Sequence, residues 1–319
     1  MELGTLSFPA PPEGLIIDLV TPLAGDGVLD GPGLERLVAR VLPAADGLLA
    51  GSPLAGEGLD LPLSTRRELF TRLLPLVAGR VPIFFGITGP TLEETRDLAA
   101  WVREEARGQG YGGALFLADL PLWYHSNRGL PQSYQSLLAD IPLPLILLNL
   151  PQAVRRRGVM FKHLHIRTQV FKKLAALPEV HGLIYQGEMR RFLHYHHAAG
   201  ARPGFAFYET DEGRFLTRPG AWGVVSGSAQ LLPRAWQQVT QVCLHPEDAA
   251  DDPQRFALWD LGNRLQQVSH FCQSSPVALW KNALAAQGVI SSPATGPGAT
   301  PGASDIGKKL LELLAGFAD

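Results

Sequence analysis

The chain has 319 residues, a length that fits one large domain or two modest ones. Hydrophobic residues make up 46% and charged residues 18%, which excludes a wholly disordered chain. The net charge of −2 offers no basic excess, so no nucleic-acid partner is expected.

Short apolar runs alternate with helical patterns along the chain. Strand-like runs lie at 15–20, 47–50, 81–86, 114–118, 143–150, 180–185, 205–209 and 223–226. Each is bounded by Gly, Pro or Asp, as strands buried on both faces of a parallel sheet should be. The clearest helices between them are 65–77 and 91–110. In the second, Thr91 caps the N-terminus with Glu94 as its capping-box partner, and Gly108 or Gly110 stops it. Beyond the strands, 247–273 and 276–287 read as helices. The stretch 291–304 is rich in Pro, Gly and Ser and is expected to be an exposed loop, and 305–317 is a final amphipathic helix.

About eight strand–helix units in roughly 230 residues match the arithmetic of a (β/α)8 TIM barrel. A doubly wound sheet would want a glycine-rich phosphate loop after its first strand, and LVTPLAGDG stands there instead. The expected organisation is a TIM barrel over 1–244 and a C-terminal helical extension over 245–319. Cys243 and Cys272 supply neither a disulfide framework nor zinc-site spacing. The N-terminus MELGTLSFPAPPEGL has no basic start and no apolar core, so it does not read as a signal peptide. No apolar run reaches the roughly 20 residues of a membrane span. A cytoplasmic protein without membrane, metal or cofactor is expected.

The order of several motifs resembles the dihydrodipicolinate synthase / N-acetylneuraminate lyase family. LVTPL at 19–23, DGLLAG at 46–51 and SPLAGEGLDLPLSTRREL at 52–69 resemble its opening, with Gly56, Glu57, Leu63 and Ser64 matching. About two extra residues precede Gly56. LPLILLNLP at 143–151 resembles the fifth strand and LPEVHGLI at 177–184 the sixth. FAFYETDE, WGVVSGSAQLLP and PVALWKNALAAQGVI resemble the seventh strand, the eighth strand and the C-terminal cap. The resemblance implies a TIM barrel assembled as a homodimer or homotetramer. It also implies class I aldolase chemistry, in which a lysine on strand six forms a Schiff base with a 2-oxo acid and a tyrosine on strand five relays protons.

This chain departs from that pattern where the chemistry lies. The Schiff-base position falls on Ile184, the relay tyrosine on Leu148, and the tyrosine pair after strand four on Leu122 and Trp123. The loop after strand two keeps Ser52 but has Pro53 in place of its second threonine. The six lysines are Lys162, Lys172, Lys173, Lys281, Lys308 and Lys309. None lies in a predicted strand, so none is expected to reach the barrel mouth. Ile184 itself is expected to point into the mouth beside Leu148, giving an apolar floor. Tyr185 is then expected to face the helices.

Two readings of function remain open. One is a barrel that has lost Schiff-base chemistry, a pseudoenzyme holding a small carboxylate or oxo-acid. The other is a lyase, hydratase or hydrolase using mouth carboxylates such as Glu57, Glu209 or Asp211 as acid or base. The ligand-binding candidates are Ser52, Gly56, Glu57, Asn149, Arg155, Tyr208, Glu209 and Ser226. The resemblance implies an arginine in the loop after strand five whose guanidinium fork clamps a substrate carboxylate, a role for which Arg155, Arg156 and Arg157 compete. His194 and His197 share a helix face, and His163 and His165 read as structural. The aromatic LWYH segment at 122–125 falls where the resemblance implies a subunit contact, and it reads as packing rather than chemistry.

Overall fold

The computed structural model describes residues 8–158, 163–200, 202–217, 221–248, 252–272, 276–298 and 304–317. Lys162 and the first seven residues lie outside them. The first half of the barrel runs β1 (Gly14–Asp18), α1 (Gly31–Val41), β2 (Gly47–Ala50), α2 (Leu63–Val77), β3 (Ile83–Gly86), α3 (Leu92–Gly108), β4 (Leu115–Asp119), α4 (Pro121–Tyr124) and α5 (Leu130–Asp140). The second half runs β5 (Leu145–Asn149), α6 (Pro151–Arg156), α7 (Thr168–Ala175), β6 (Val180–Tyr185), α8 (Met189–Ala199), β7 (Ala206–Glu209), α9 (Glu212–Thr217), β8 (Gly223–Ser226) and α10 (Pro233–Leu244). Three further helices follow, α11 (Asp252–Cys272), α12 (Pro276–Ala286) and α13 (Ser304–Ala315). The eight strands pair in parallel and close β8 onto β1, a (β/α)8 barrel. Among the described residues no helix is long and apolar enough to cross a membrane.

The sequence pattern accounts for the elements. Every strand residue is buried except the half-buried His181, as a layer covered on both faces requires. Thr91 caps α3 by accepting from the Glu94 backbone N–H at 3.1 Å, while its hydroxyl donates back to the Glu94 carboxylate at 2.9 Å.

Alternation then decides which side chains reach the interior. On β3, Phe84 stacks on Phe116 of β4 and meets Tyr208 across the barrel, whereas Phe85 packs on Phe70 of α2. On β7, Phe207 stacks on His196 of α8, so Tyr208 points inward. Ile184 pairs with Tyr208 on one side and Leu148 on the other, which puts all three on the inner face. Tyr185 packs on Phe192 and Tyr195 of α8, in the helix layer. A register shift between Leu145 and Ile146 lets His181 lie against Phe116 without moving Ile184 off the inner face.

The described part of the Pro/Gly/Ser-rich stretch is a loop, as expected, exposed at Ser291, Pro293, Pro297 and Gly298. The Ser291 N–H donates to Asp30 at the start of α1, the Gly296 N–H donates to Glu57 in the loop between β2 and α2, and Gly296 is buried. Residues 299–303 lie outside the described residues. Side-chain partners on the barrel replace the core contacts that so polar a stretch cannot make.

Candidate functional site

The ends of β1 and β2 bring together a compact polar group. Asp18 is the last residue of β1 and lies on the inner face, two residues beyond Ile16, which meets Gly47 and Phe84 inside the barrel. Its Oδ2 accepts from the Ser52 hydroxyl at 2.9 Å and from the Ala55 N–H at 3.1 Å. The Ser52 hydroxyl oxygen in turn accepts from the N–H groups of Leu54 and Gly56, both at 3.1 Å. Thr21 closes the group by donating to the Gly56 carbonyl at 2.7 Å. Only glycine fits such a loop. A Cβ on Gly56 would lie 2.4 Å from the Ser52 nitrogen, and one on Gly58 would lie 1.9 Å from the Gly51 oxygen.

Asp18 is fully buried, and its other oxygen, Oδ1, has no hydrogen-bond partner. Burial pushes its pKa from 3.8 up to about 7; the Ser52 and Ala55 hydrogen bonds oppose that rise, and the nearby Glu212 adds to it. The sequence reading missed this residue. The signal was available, because a lone carboxylate inside the apolar run LIIDLV must be buried.

A second feature involves one of the lysines. Lys281, on α12, is fully buried and forms an ion pair with Glu57 in the loop after β2. It also donates to the Ala294 carbonyl at 2.8 Å. This lysine comes from a C-terminal helix rather than a strand, and its ammonium is held by Glu57 and the Ala294 carbonyl. Burial lowers its pKa and the adjacent Glu57 holds it up. Glu57 has a φ of 54°, in the left-handed region that costs a non-glycine residue. Lys281 and the Gly296 N–H, at 2.6 Å, fix it there.

The remaining candidates do not join this group. Asn149 faces the helices, where its Oδ1 accepts from the Ile166 N–H at 3.1 Å and its amide nitrogen lies 3.0 Å from His165 Nδ1. Tyr208 points the other way along the barrel, its hydroxyl donating to the Pro12 carbonyl ahead of β1. Glu209 accepts from the Thr210 and Asp211 N–H groups and pairs with Arg214 at 3.2 Å. Asp211 pairs with the same arginine at 3.5 Å. Ser226 donates to Glu212 at 2.6 Å, and Ser228 donates to it twice. The carboxylates proposed as an acid–base set are thus spent on separate partners, Glu57 on Lys281 and the other two on Arg214.

Of the three clustered arginines, Arg156 binds Asp60 and Arg157 binds the Trp123 carbonyl and stacks over its ring. Arg155 is exposed and acts electrostatically on His165, whose pKa burial and the cations Arg191 and Arg155 lower to about 4. Leu148 and Ile184 are both buried, as is Leu122. His194 and His197 are exposed, and no metal-binding cluster occurs among the described residues. Beside the mouth, a cavity of about 250 Å³ is bounded by Arg66, Thr88, Glu94 and Trp123. Arg66 donates from this wall to the carbonyls of Gly86 and Thr88. Behind the wall, Thr88, Tyr124 and Tyr134 all donate to the buried Asp119 at the end of β4.

A parallel eight-stranded barrel with polar groups gathered at the C-terminal strand ends and three helices after it defines the class of protein. Residues 11–314 match the Dihydrodipicolinate synthetase family, and the chain belongs to that family. A 4-hydroxy-tetrahydrodipicolinate synthase from Limosilactobacillus fermentum is 28% identical over 281 residues, covering 87% of this chain and 83% of that protein. One from Methylococcus capsulatus is 26% identical over 284 residues, covering 87% and 89%. Among solved structures, dihydrodipicolinate synthase from Bacteroides thetaiotaomicron superimposes with a TM-score of 0.80 at 21% identity, covering 97% of this chain and all of that one. The Acinetobacter baumannii enzyme, solved in complex with pyruvate, gives 0.78 at 22% identity, covering 96% and 98%.

Two measurements check this geometry. Lys281→Met is expected to lower stability in urea denaturation by about 3–5 kcal/mol, because Glu57 is left charged and buried, and Glu57→Gln in the same chain to recover most of that loss. Asp18 makes stability depend on pH. Its native carboxyl keeps its proton up to about pH 7, whereas the unfolded chain releases it near 3.8. The native state then holds the extra proton, so this contribution to stability falls as pH rises between those values. Asp18→Asn is expected to remove a slope of up to about 1.4 kcal/mol per pH unit, read as urea midpoints at pH 5 and pH 7.

Proposed function

We propose that this protein holds a small carboxylate or oxo-acid at the mouth of its barrel without forming an imine to it. The observation that carries the reading is the pair Ile184 and Leu148, Cα partners on the inner face where the family resemblance expects lysine and tyrosine. Neither side chain can form an imine or carry a proton. Lys172 and Lys173 lie on α7, Lys308 and Lys309 on α13, and the Lys281 ammonium is held by Glu57 and Ala294. The ligand class is supported by family membership and by the pyruvate present in the solved Acinetobacter baumannii relative. Arg155 is the arginine assigned to the ligand's carboxylate, since Arg156 and Arg157 are already engaged. A homodimer or homotetramer is part of the same proposal, with the half-buried Trp123 near the contact.

The test is pyruvate followed by borohydride, read by mass spectrometry. No lysine adduct is expected in the natural chain, and an adduct on any lysine defeats the reading. Ile184→Lys is expected to permit trapping but no aldol turnover, because Leu148 and Leu122 bring no proton-relay hydroxyl. Calorimetric titration with pyruvate is expected to show binding that Arg155→Ala weakens about tenfold, the loss of one charge-assisted contact. Sedimentation is expected to show an oligomer at micromolar concentration.

A further inference from the structure

We infer that Asp18 is a ligand-contacting, specificity-determining residue of the mouth, its Oδ1 offered as hydrogen-bond donor to an oxygen of the oxo-acid. The inference rests on the ligand reading above and adds a residue that the sequence reading did not name.

The geometry is that of a half-used group. Asp18 stands on the inner face at the C-terminal end of β1, the end of the barrel where loop side chains build sites in this fold. One oxygen is fully engaged by the Ser52 hydroxyl and the Ala55 N–H. The other is buried with no partner. Buried polar atoms are nearly always paired, so an orphan of this kind calls for an explanation. Pinning the loop does not explain it, because pinning uses Oδ2 alone.

The placement of the proton follows from the same contacts. Oδ2 accepts two hydrogen bonds, so a proton on this carboxyl belongs on Oδ1. Burial holds the pKa near 7, so close to neutrality the group carries that proton for a large part of the time. The charged group acting on Asp18 is Glu212 of α9, which disfavours ionisation further. From the β2–α2 loop Asp18 is faced by Ser52 and Ala55, and the charge on that loop, Glu57, is directed at Lys281. A neutral acid in this position donates to a carbonyl or carboxylate oxygen. Once ionised, it repels a carboxylate. The site therefore selects an oxygen acceptor and releases it as pH rises.

The experiment is calorimetric titration with pyruvate between pH 5.5 and 8.5 on the natural chain, Asp18→Asn and Asp18→Ala, each checked for folding by circular dichroism. The natural chain is expected to hold its affinity below about pH 7 and lose about tenfold per pH unit well above it, as a single required proton dictates. Asp18→Asn keeps an N–H donor and is expected to bind within a few-fold at pH 6 with no such pH dependence. Asp18→Ala is expected to bind at least about tenfold more weakly at pH 6. Should the alanine chain fail to fold, the asparagine profile decides alone. Binding that is level with pH in the natural chain, or a slope that survives in Asp18→Asn, overturns this inference and leaves the ligand reading standing. No binding at any pH overturns both.

Discussion

A buried ion pair joins the two ends of this chain. Lys281 comes from a helix that follows the barrel, and Glu57 comes from the second βα loop. Neither charge reaches solvent, so each depends on the other. Desolvating two ions is costly, and their attraction offsets that cost only when further hydrogen bonds complete the arrangement. Here the Ala294 carbonyl and the Gly296 N–H do so, one on the cation and one on the anion. The pair therefore fixes three things together: α12, the segment around Ala294 and Gly296, and the left-handed turn at Glu57. The same loop carries Ser52 and Ala55 onto Asp18, so the C-terminal helices help to shape the barrel mouth.

Much of the fold was legible because burial on both faces leaves a plain mark. Runs such as VHGLIY and GVVS have the same bounds in sequence and structure. The capping box at Thr91 and Glu94 was legible for a local reason, since both partners lie within one turn. The Lys281–Glu57 pair left no such mark. It joins residues distant in sequence, and periodicity says only that Lys281 lies on a helix. The contacts of the Pro/Gly/Ser-rich segment were not legible for a related reason. Its composition reports that it builds no core of its own, and says nothing of whether another surface holds it.

The candidate site was legible in part, and side-chain parity explains the division. Tyr208 and Glu209 adjoin in sequence, yet one points into the barrel and the other away from it. Asn149 follows Leu148 and so turns toward the helices, where it positions His165 and Ile166. Phe207 packing on α8 sets the phase of β7, and Tyr185 sets that of β6. That phase was open to reading on β6, where Ile184 and Tyr185 were assigned opposite faces. Carrying it to β5, β7 and β8 would have separated inward from outward candidates there too.

The distribution of polar groups around the rim gives the last step. On the side of β5 and β6 the inner face carries Leu148 and Ile184, and the polar Asn149 is turned outward. On the side of β1 and β2 it carries Asp18, with Ser52, Thr21 and Glu57 close behind. A barrel interior tolerates an ionisable group only where partners satisfy it, and apolar side chains are the stable default elsewhere. A lysine at position 184 would face Leu148 and Tyr208, and the Tyr208 hydroxyl is already committed to Pro12. It would find no counter-charge among these pairing neighbours. Ile184 is thus the residue its surroundings favour. On the inner face itself, the polar side chain is Asp18, at the end of the first strand.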